Sequence, residues 1–527
     1  MTNRTTFPQN LQNLRALMPT LLAHLESGRE QHWYAFVWLE QTNRMGFTAA
    51  QTENTDLSSD RGMVFRIMAN GVHYERSTNQ LDAAHLETLA KAFRAEVEGL
   101  DGAVDRSTDQ PSYQPSTWDD ELAQGLSPEL QAQLPPSLHP ATEVTFGVRC
   151  AQLPDATSMQ DLSTLSRDLR TSLQRRASDT MAANPDAGYQ PFADIVVMAR
   201  QQVTVNVFVD RQKNIAQVLP TTLFYAMAAS SLGHTSREIM GGLGGLEIAM
   251  FSEQQQQHLI ELGFKLAQAE KLVPGRYPII TGPDVTGVIA HEAFGHTQEG
   301  DTWMKGRSIA KDLHEQHIRV GNDQASIVNQ ANVFAMGDEE HGTNGSYFFD
   351  HEGALARSQT ILDRGHLSAP MTDLTSALHF NAPRTANGKR ESWRRPLMTR
   401  QTNTYFTPGD KSVDALIGMV DYGFLAMQAN GGMEDPKGGS LTAGTSYLEE
   451  IKDGALTGRL FLGPAGGHIE LSDPVFDLLD KIVAKSSTNN PDGVPENKYG
   501  GCGKYHKEVV AAGCGGPFIL WQDINCG

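Results

Sequence analysis

The hydrophobic pattern of this chain changes period along its length. Up to about residue 300, apolar residues recur at helical spacing between short apolar runs. From 320 to 470, short alternating runs are cut by Gly, Asn, Asp and Pro. A period near 3.6 buries one face of a helix, and a period of two buries one face of a strand. The pattern predicts an α+β fold. An N-terminal α/β domain is expected over residues 1–230. A mostly antiparallel sheet or barrel-like C-terminal domain is expected over residues 231–527. A length of 527 residues suits two large domains with sizeable cores.

Local signals fill in the first half. Leu11, Leu14, Leu17, Leu21 and Leu25 share a helical face, and Gly28 stops it. Trp33 to Leu39 reads as a strand. Val64 to Ala69, Asn70-Gly71 and Val72 to Glu75 read as a hairpin with a type I′ turn. Leu86, Leu89, Phe93 and Val97 mark another helix. Residues 101–140 carry six prolines and read as a linker or extended surface segment. Ser158 with Asp161 and Ser252 with Gln255 resemble capping boxes that open helices. Ile195 to Ala199 and Val203 to Val209 read as strands. Gly241 to Gly245 reads as a flexible loop.

Composition narrows the function. Lys plus Arg is 43 against 62 Asp plus Glu, a net charge of −19. A chain this acidic repels phosphate backbones and anionic lipids, so no nucleic-acid or membrane partner is expected. No run of about 18 apolar residues occurs, and the N-terminus lacks the pattern of a secretory signal. Four cysteines make no disulfide scaffold. A cytoplasmic protein is expected. There is no phosphate-binding G-x-x-x-x-G-K-[ST] loop and no G-x-S-x-G elbow.

The strongest chemical signal is His291-Glu292-Ala293-Phe294-Gly295-His296, an H-E-x-x-x-H pattern after the candidate N-cap Asp284. Two imidazoles can ligate a metal, and the carboxylate beside the first can take a proton from water. On a regular helix, positions i and i+5 lie roughly 140° apart and cannot face one ion. The spacing predicts a π-type turn, or a helix that ends at Gly295. Two histidines that cap a helix or hydrogen-bond in the core would show the same spacing. A third ligand is required. Cys502, flanked by Gly501 and Gly503, is the best candidate, with Cys514, Cys526, Glu299 and Asp301 as rivals.

HEAFGHTQEGD resembles the H-E-A-x-G-H-x-x-E-G-D signature of the TldD/PmbA metallopeptidase family. Ile361-Leu362-Asp363-Arg364-Gly365, Asn387 to Ser392, Thr402-Asn403-Thr404-Tyr405 and Cys502-Gly503-Lys504 with Gly513 and Pro517 resemble further family segments, in order. The resemblance runs over roughly residues 30–527 and implies an N-terminal α/β domain followed by an antiparallel β domain. It implies one Zn2+ per chain on His291, His296 and Cys502, with Glu292 as general base. It also implies hydrolysis of small or unfolded peptides in a cavity closed by two protomers, as a homodimer or as a heterodimer with a family paralogue. Retention of the motif places the chain with the catalytic, TldD-like members.

Departures are the length of the 101–140 segment, the stretch Gly432 to Gly439, and Cys514 and Cys526, which match no family role. Asn403 and Arg400 are candidate substrate-binding residues, and His351, His379 and Asn381 could line the cavity. The alternative is a non-catalytic, chaperone-like peptide-binding module with a structural zinc site, for which Cys514 or Cys526 would be a fourth ligand. A hydrolase acting on another amide or an ester is a third reading.

Overall fold

The computed structural model describes residues 3–101, 113–504 and 508–527. Trp33–Ala49 lies at the heart of a seven-stranded sheet. It pairs antiparallel with Asn54–Ala69 on one side and Asp194–Val209 on the other. Val72–Thr78 extends the first side, and Asn214–Ala229 extends the second. Glu143–Gly147 and Thr235–Leu243 share the far edge of Asn214–Ala229.

The apolar run at 33–39 is continuous because both faces of the strand are covered. Trp33, Ala35, Val37 and Leu39 pack under the helices Gln12–Glu26 and Ala83–Asp101. Tyr34, Phe36 and Trp38 point the other way, onto Phe348, Phe349 and Trp393 from the second half of the chain. The polar continuation of the strand to Ala49 was not expected, nor was the fusion of 195–199 with 203–209 into one strand. The hairpin is present, with Asn70 and Gly71 at φ 49 and 75 as a type I′ turn requires. Capping boxes at Ser158/Asp161 and Ser252/Gln255 open the helices Met159–Ala183 and Glu253–Leu266. Both cover the other end of the same sheet face, against Phe224 and Ala226.

Two expectations need correction. Gly241 and Gly242 end a strand instead of forming a flexible loop. A Cβ at Gly241 would collide with the Thr222 carbonyl, so glycine permits a close backbone approach. The proline-rich segment is not a bare linker where it is described. Trp118–Ala123 and Pro128–Gln131 are short helices that bury Trp118 and Leu130, and Leu126 is buried between them. Residues 102–112 of that segment lie outside the described residues. Asn214–Ala229, just before the expected division near 230, pairs with Thr235–Leu243, just after it.

The second half holds a closed barrel of five strands. Gly275–Thr281 pairs parallel with Tyr422–Asp435 and antiparallel with Ile519–Cys526. Tyr422–Asp435 pairs with Ser440–Lys452, which pairs with Ile469–Pro474, and that strand returns to Ile519–Cys526. The helix Pro283–Ala290 leaves the first barrel strand directly. It packs Val285 and Ile289 into the core with Ile279, Leu441 and Trp521. A separate six-stranded sheet contains Asn403–Phe406, Glu508–Gly515 and Asn497–Lys504 as consecutive neighbours. Among the described residues, no helix is long and apolar enough to cross a membrane.

The contact between the two halves contains a titratable group. Glu40, on Trp33–Ala49, is buried and accepts a hydrogen bond from the Trp393 amide at 3.2 Å. Burial pushes its carboxyl up from 4.5 to about 7, against the opposing pull of that amide and of Arg390. The folded chain therefore holds this proton more tightly than the unfolded chain, and stability falls as pH rises from 4.5 to about 7. Glu40→Gln is expected to flatten the decline of Tm across that window. Thermal scans at several pH values check it, and equal slopes in the two proteins would refute the assignment.

Candidate metal centre

The motif sits where the Pro283–Ala290 helix widens. Gly282, not Asp284, is the N-cap, and Pro283 follows at the first helical position. Asp284 instead accepts from the Val285 amide at 2.9 Å and the Ala429 amide at 2.7 Å, tying the helix to the barrel strand. His291–Gly295 forms a π-turn, which brings i and i+5 to one side. The His291 and His296 ring centroids are 4.9 Å apart and the rings are nearly perpendicular, at 88°. The Gln401 carboxamide fills the space beside Gly295, so a Cβ there would displace it. Gln401 donates to the His291 carbonyl at 3.2 Å and accepts from Thr404 Oγ1 at 2.8 Å. The widened backbone is thus braced from the neighbouring sheet.

Cys502 arrives from the strand Asn497–Lys504. Ligand atoms of His291, His296 and Cys502 all lie within 4.8 Å of one another. Cys502 Sγ is 3.6 Å from His296 Nε2. A tetrahedral zinc with the usual Zn–S and Zn–N bond lengths separates its sulfur and nitrogen ligands by about 3.6 Å. Two imidazoles and a thiolate are also a donor set that suits zinc better than magnesium or calcium. The residues therefore fit the ion. Burial would raise the Cys502 thiol, but the adjacent His296 and His291 outweigh burial and hold it well below the ordinary thiol range.

The ligands are oriented from behind. His296 Nδ1 meets Glu299 at 3.2 Å, which leaves Nε2 for the Cys502 side. Lys504 Nζ pairs with Glu299 at 2.8 Å and with Asp301 at 2.6 Å. Burial alone would raise Glu299, but Lys504 and His296 hold it down at about 2. Glu299 and Asp301, rivals for the third ligand position, are engaged by this lysine. Cys514 lies on the other side, with its sulfur 3.5 Å from His291 Nδ1. Cys526 is a core thiol of the barrel, away from the site.

Arg400 and Asn403 do not line the cavity. Arg400 is buried behind Cys502, donating to the Cys502 carbonyl, to its sulfur at 3.3 Å and to the Glu508 carbonyl at 3.0 Å. Asn403 is buried and consumed within the fold. It donates to the Gln330 carbonyl at 2.8 Å and to Ser346 Oγ at 2.9 Å, and it accepts from Thr343. His351 is half-buried at the contact between the halves, 4.5 Å from the Trp38 ring, and accepts from the Arg390 amide at 3.1 Å. His379 and Asn381 end the helix Leu374–Phe380, outside the cavity wall.

The cavity has a volume of about 1000 Å3 and is lined by His291, Glu292, His296, Cys502, Cys514 and Glu434, among others. Glu434 is the functional candidate that sequence reasoning missed. Its stretch was noted only as a departure from the family pattern. Burial pushes its carboxyl well above the usual range; Glu292 and Glu299 add to this and His296 opposes it.

Residues 274–526 match the PmbA/TldA metallopeptidase C-terminal domain. A metalloprotease TldD homologue from Buchnera aphidicola is 32% identical over 253 residues, covering 48% of each chain. A zinc metalloprotease TldD homologue from Saccharolobus solfataricus is 31% identical over 253 residues, covering 48% of this chain and 52% of that one. The chain spans about half the length of the curated relatives it matches. Among solved structures, a Thermotoga maritima protein named as a candidate modulator of DNA gyrase superposes with a TM-score of 0.69 at 14% identity, over 98% of this chain and 100% of that one. TldE from Thermococcus kodakarensis gives a TM-score of 0.62 at 11% identity, over 98% and 99%. These two share the fold. With residues 274–526 matched to the family domain and the motif segments there in family order, the C-terminal half of the chain is a TldD/PmbA-family domain.

Proposed function

We propose that this chain is a zinc-dependent peptidase that hydrolyses small or unfolded peptides. The observation that carries the reading is the convergence of His291, His296 and Cys502 on one wall of a large cavity that Glu292 also lines. Names of relatives support it, since several are metalloproteases and one is a zinc metalloprotease. Zinc held by the three side chains would supply the Lewis acidity that lowers the pKa of water and polarises a peptide carbonyl.

The chain's own residues do the rest. Glu292 takes the proton from water as oxygen adds to the carbonyl carbon. It then returns the proton to the amine nitrogen as the C–N bond breaks. Glu299 keeps His296 in the tautomer that presents Nε2. The backbone from Tyr499 to Gly503 lines the cavity and belongs to the last strand of its sheet among the described residues. A peptide can add alongside such a strand through main-chain hydrogen bonds, which ignore side-chain identity. In the same proposal a second protomer, identical or paralogous, closes the cavity in the cytoplasm. Support for that closure comes from the family resemblance.

A second reading has one observation in its favour. Cys514, 3.5 Å from His291, could complete a four-ligand structural site in a peptide-binding protein. Against it, Cys514 falls outside the group of converging ligand atoms, and a closed site has no use for Glu292.

Elemental analysis beside peptidase assays on an unfolded peptide pool separates the two. Wild type, Glu292→Ala and Cys514→Ser are each expected to hold one zinc per chain. Glu292→Ala is expected to lose activity by about 10^2 to 10^4-fold. Zinc loss in Cys514→Ser, or equal activity in wild type and Glu292→Ala, would favour the structural site. Glu299→Gln removes the charge behind His296 while keeping its shape. Its zinc affinity, measured by chelator competition, is expected to fall about 10- to 100-fold. Unchanged affinity would remove Glu299 from the support of the site.

A further inference from the structure

Glu434 lies on the barrel strand Tyr422–Asp435 and lines the cavity with His291, Glu292 and His296. Its stem is partly accessible, but both carboxylate oxygens are shielded and neither has a hydrogen-bond partner among the described residues. Neighbouring acids are engaged differently. Glu299 has Lys504, Glu496 has Lys498, and Asp284 accepts two backbone amides. A shielded carboxylate without donors is costly, and in native proteins such a group points to a missing partner.

The missing partner belongs in the cavity. Residues 432 and 434 point to the same side of their strand. A Cβ at Gly432 would stand 2.9 Å from Glu292 Cγ, so this side of the strand lies directly over the proposed base. Glu434 is therefore next to the reacting position. It is not a member of the converging ligand group of His291, His296 and Cys502. A carboxylate offers only acceptors, whereas an ammonium brings three donors and a positive charge.

We propose that Glu434 binds the ammonium group of a peptide substrate, so that the site selects peptides presenting a primary amine beside the cleaved bond. This rests on the peptidase reading above. The amine can come from the peptide N-terminus or from a lysine side chain, and the test separates them.

The first arm measures binding without turnover. Zinc-loaded Glu292→Gln protein is titrated calorimetrically with leucinamide and with N-acetyl-leucinamide, with and without Glu434→Gln. Leucinamide is expected to bind at least about tenfold more tightly, as for a hydrogen bond to a charged group, and the preference is expected to vanish with Glu434→Gln. The second arm compares kcat/KM for free and N-acetylated forms of one peptide, each with and without a lysine beside the cleaved bond. In wild type the free form is expected to be favoured at least about tenfold, with the ratio approaching one in Glu434→Gln. A preference that survives acetylation when lysine is present assigns the amine to the side chain. Equal discrimination with and without Glu434, in both arms, overturns the proposal. Zinc loss in Glu434→Gln would overturn it too, by making Glu434 a ligand. Amine discrimination in the first arm without turnover of any peptide would sink the peptidase reading alone. Turnover without amine discrimination would sink this inference alone.

Discussion

Two histidines five residues apart must be turned to one side before any other part of this site can work. The π-turn His291–Gly295 does this, and it is braced by its surroundings. Widening a helix displaces carbonyls from their usual partners, and a buried displaced carbonyl needs a donor. Gln401 supplies one to His291, and Gly295 leaves the space in which Gln401 lies. The preceding helix is short, and its Val285 and Ile289 side is clamped in the barrel core. The turn therefore starts from a fixed platform.

The third ligand comes from more than 200 positions away, and sheet pairing delivers it. Asn403–Phe406 runs parallel to Glu508–Gly515, which pairs with the strand carrying Cys502. Arg400, one step before Gln401, grips the Cys502 carbonyl and sulfur. Asn387 in turn accepts the Arg400 amide at 2.9 Å and donates to its carbonyl at 2.8 Å. Segments that resemble family motifs at 387–392 and 402–405 thus do their work behind the ligands. That explains why Asn403, an attractive polar residue in the sequence, proves to be fully committed inside the fold.

Local chemistry was legible and distant pairing was not. Asn70-Gly71 announces its hairpin because few other residue pairs accept two successive positive φ angles. Ser158 and Ser252 announce helices because their reciprocal partners sit three residues on. Closure of the barrel depends on Ile469–Pro474 meeting Ile519–Cys526, a pairing that no local pattern encodes. The second face of Trp33–Leu39 is covered by Phe348, Phe349 and Trp393, and the run of seven apolar residues was the only hint of that cover. In the site, Cys502 could be ranked first through its glycine flanks, whereas Glu434 sat unremarked in a stretch with no motif.

The two groups proposed for this site, a metal ion and an ammonium, are both cations, and the acids of the cavity bear on both. Cys502, Glu292 and Glu434 face one cavity in a protein whose net charge is already −19. Lys504, at the cavity wall, pairs with Glu299 and Asp301 behind the histidines, and Arg400 sits behind the thiolate and outside the lining. In this partly shielded space Coulomb repulsion is stronger than in water, and together with burial it holds the Glu434 carboxyl well above its usual range. Two kinds of positive group would relieve it from different ends. A divalent ion held by the histidines and Cys502 would satisfy the thiolate, and the proposed ammonium would satisfy Glu434. A carbonyl bonded to the carbon that bears that ammonium would then lie between the two. One array of acids would thus load the metal and orient the substrate that the metal is to activate.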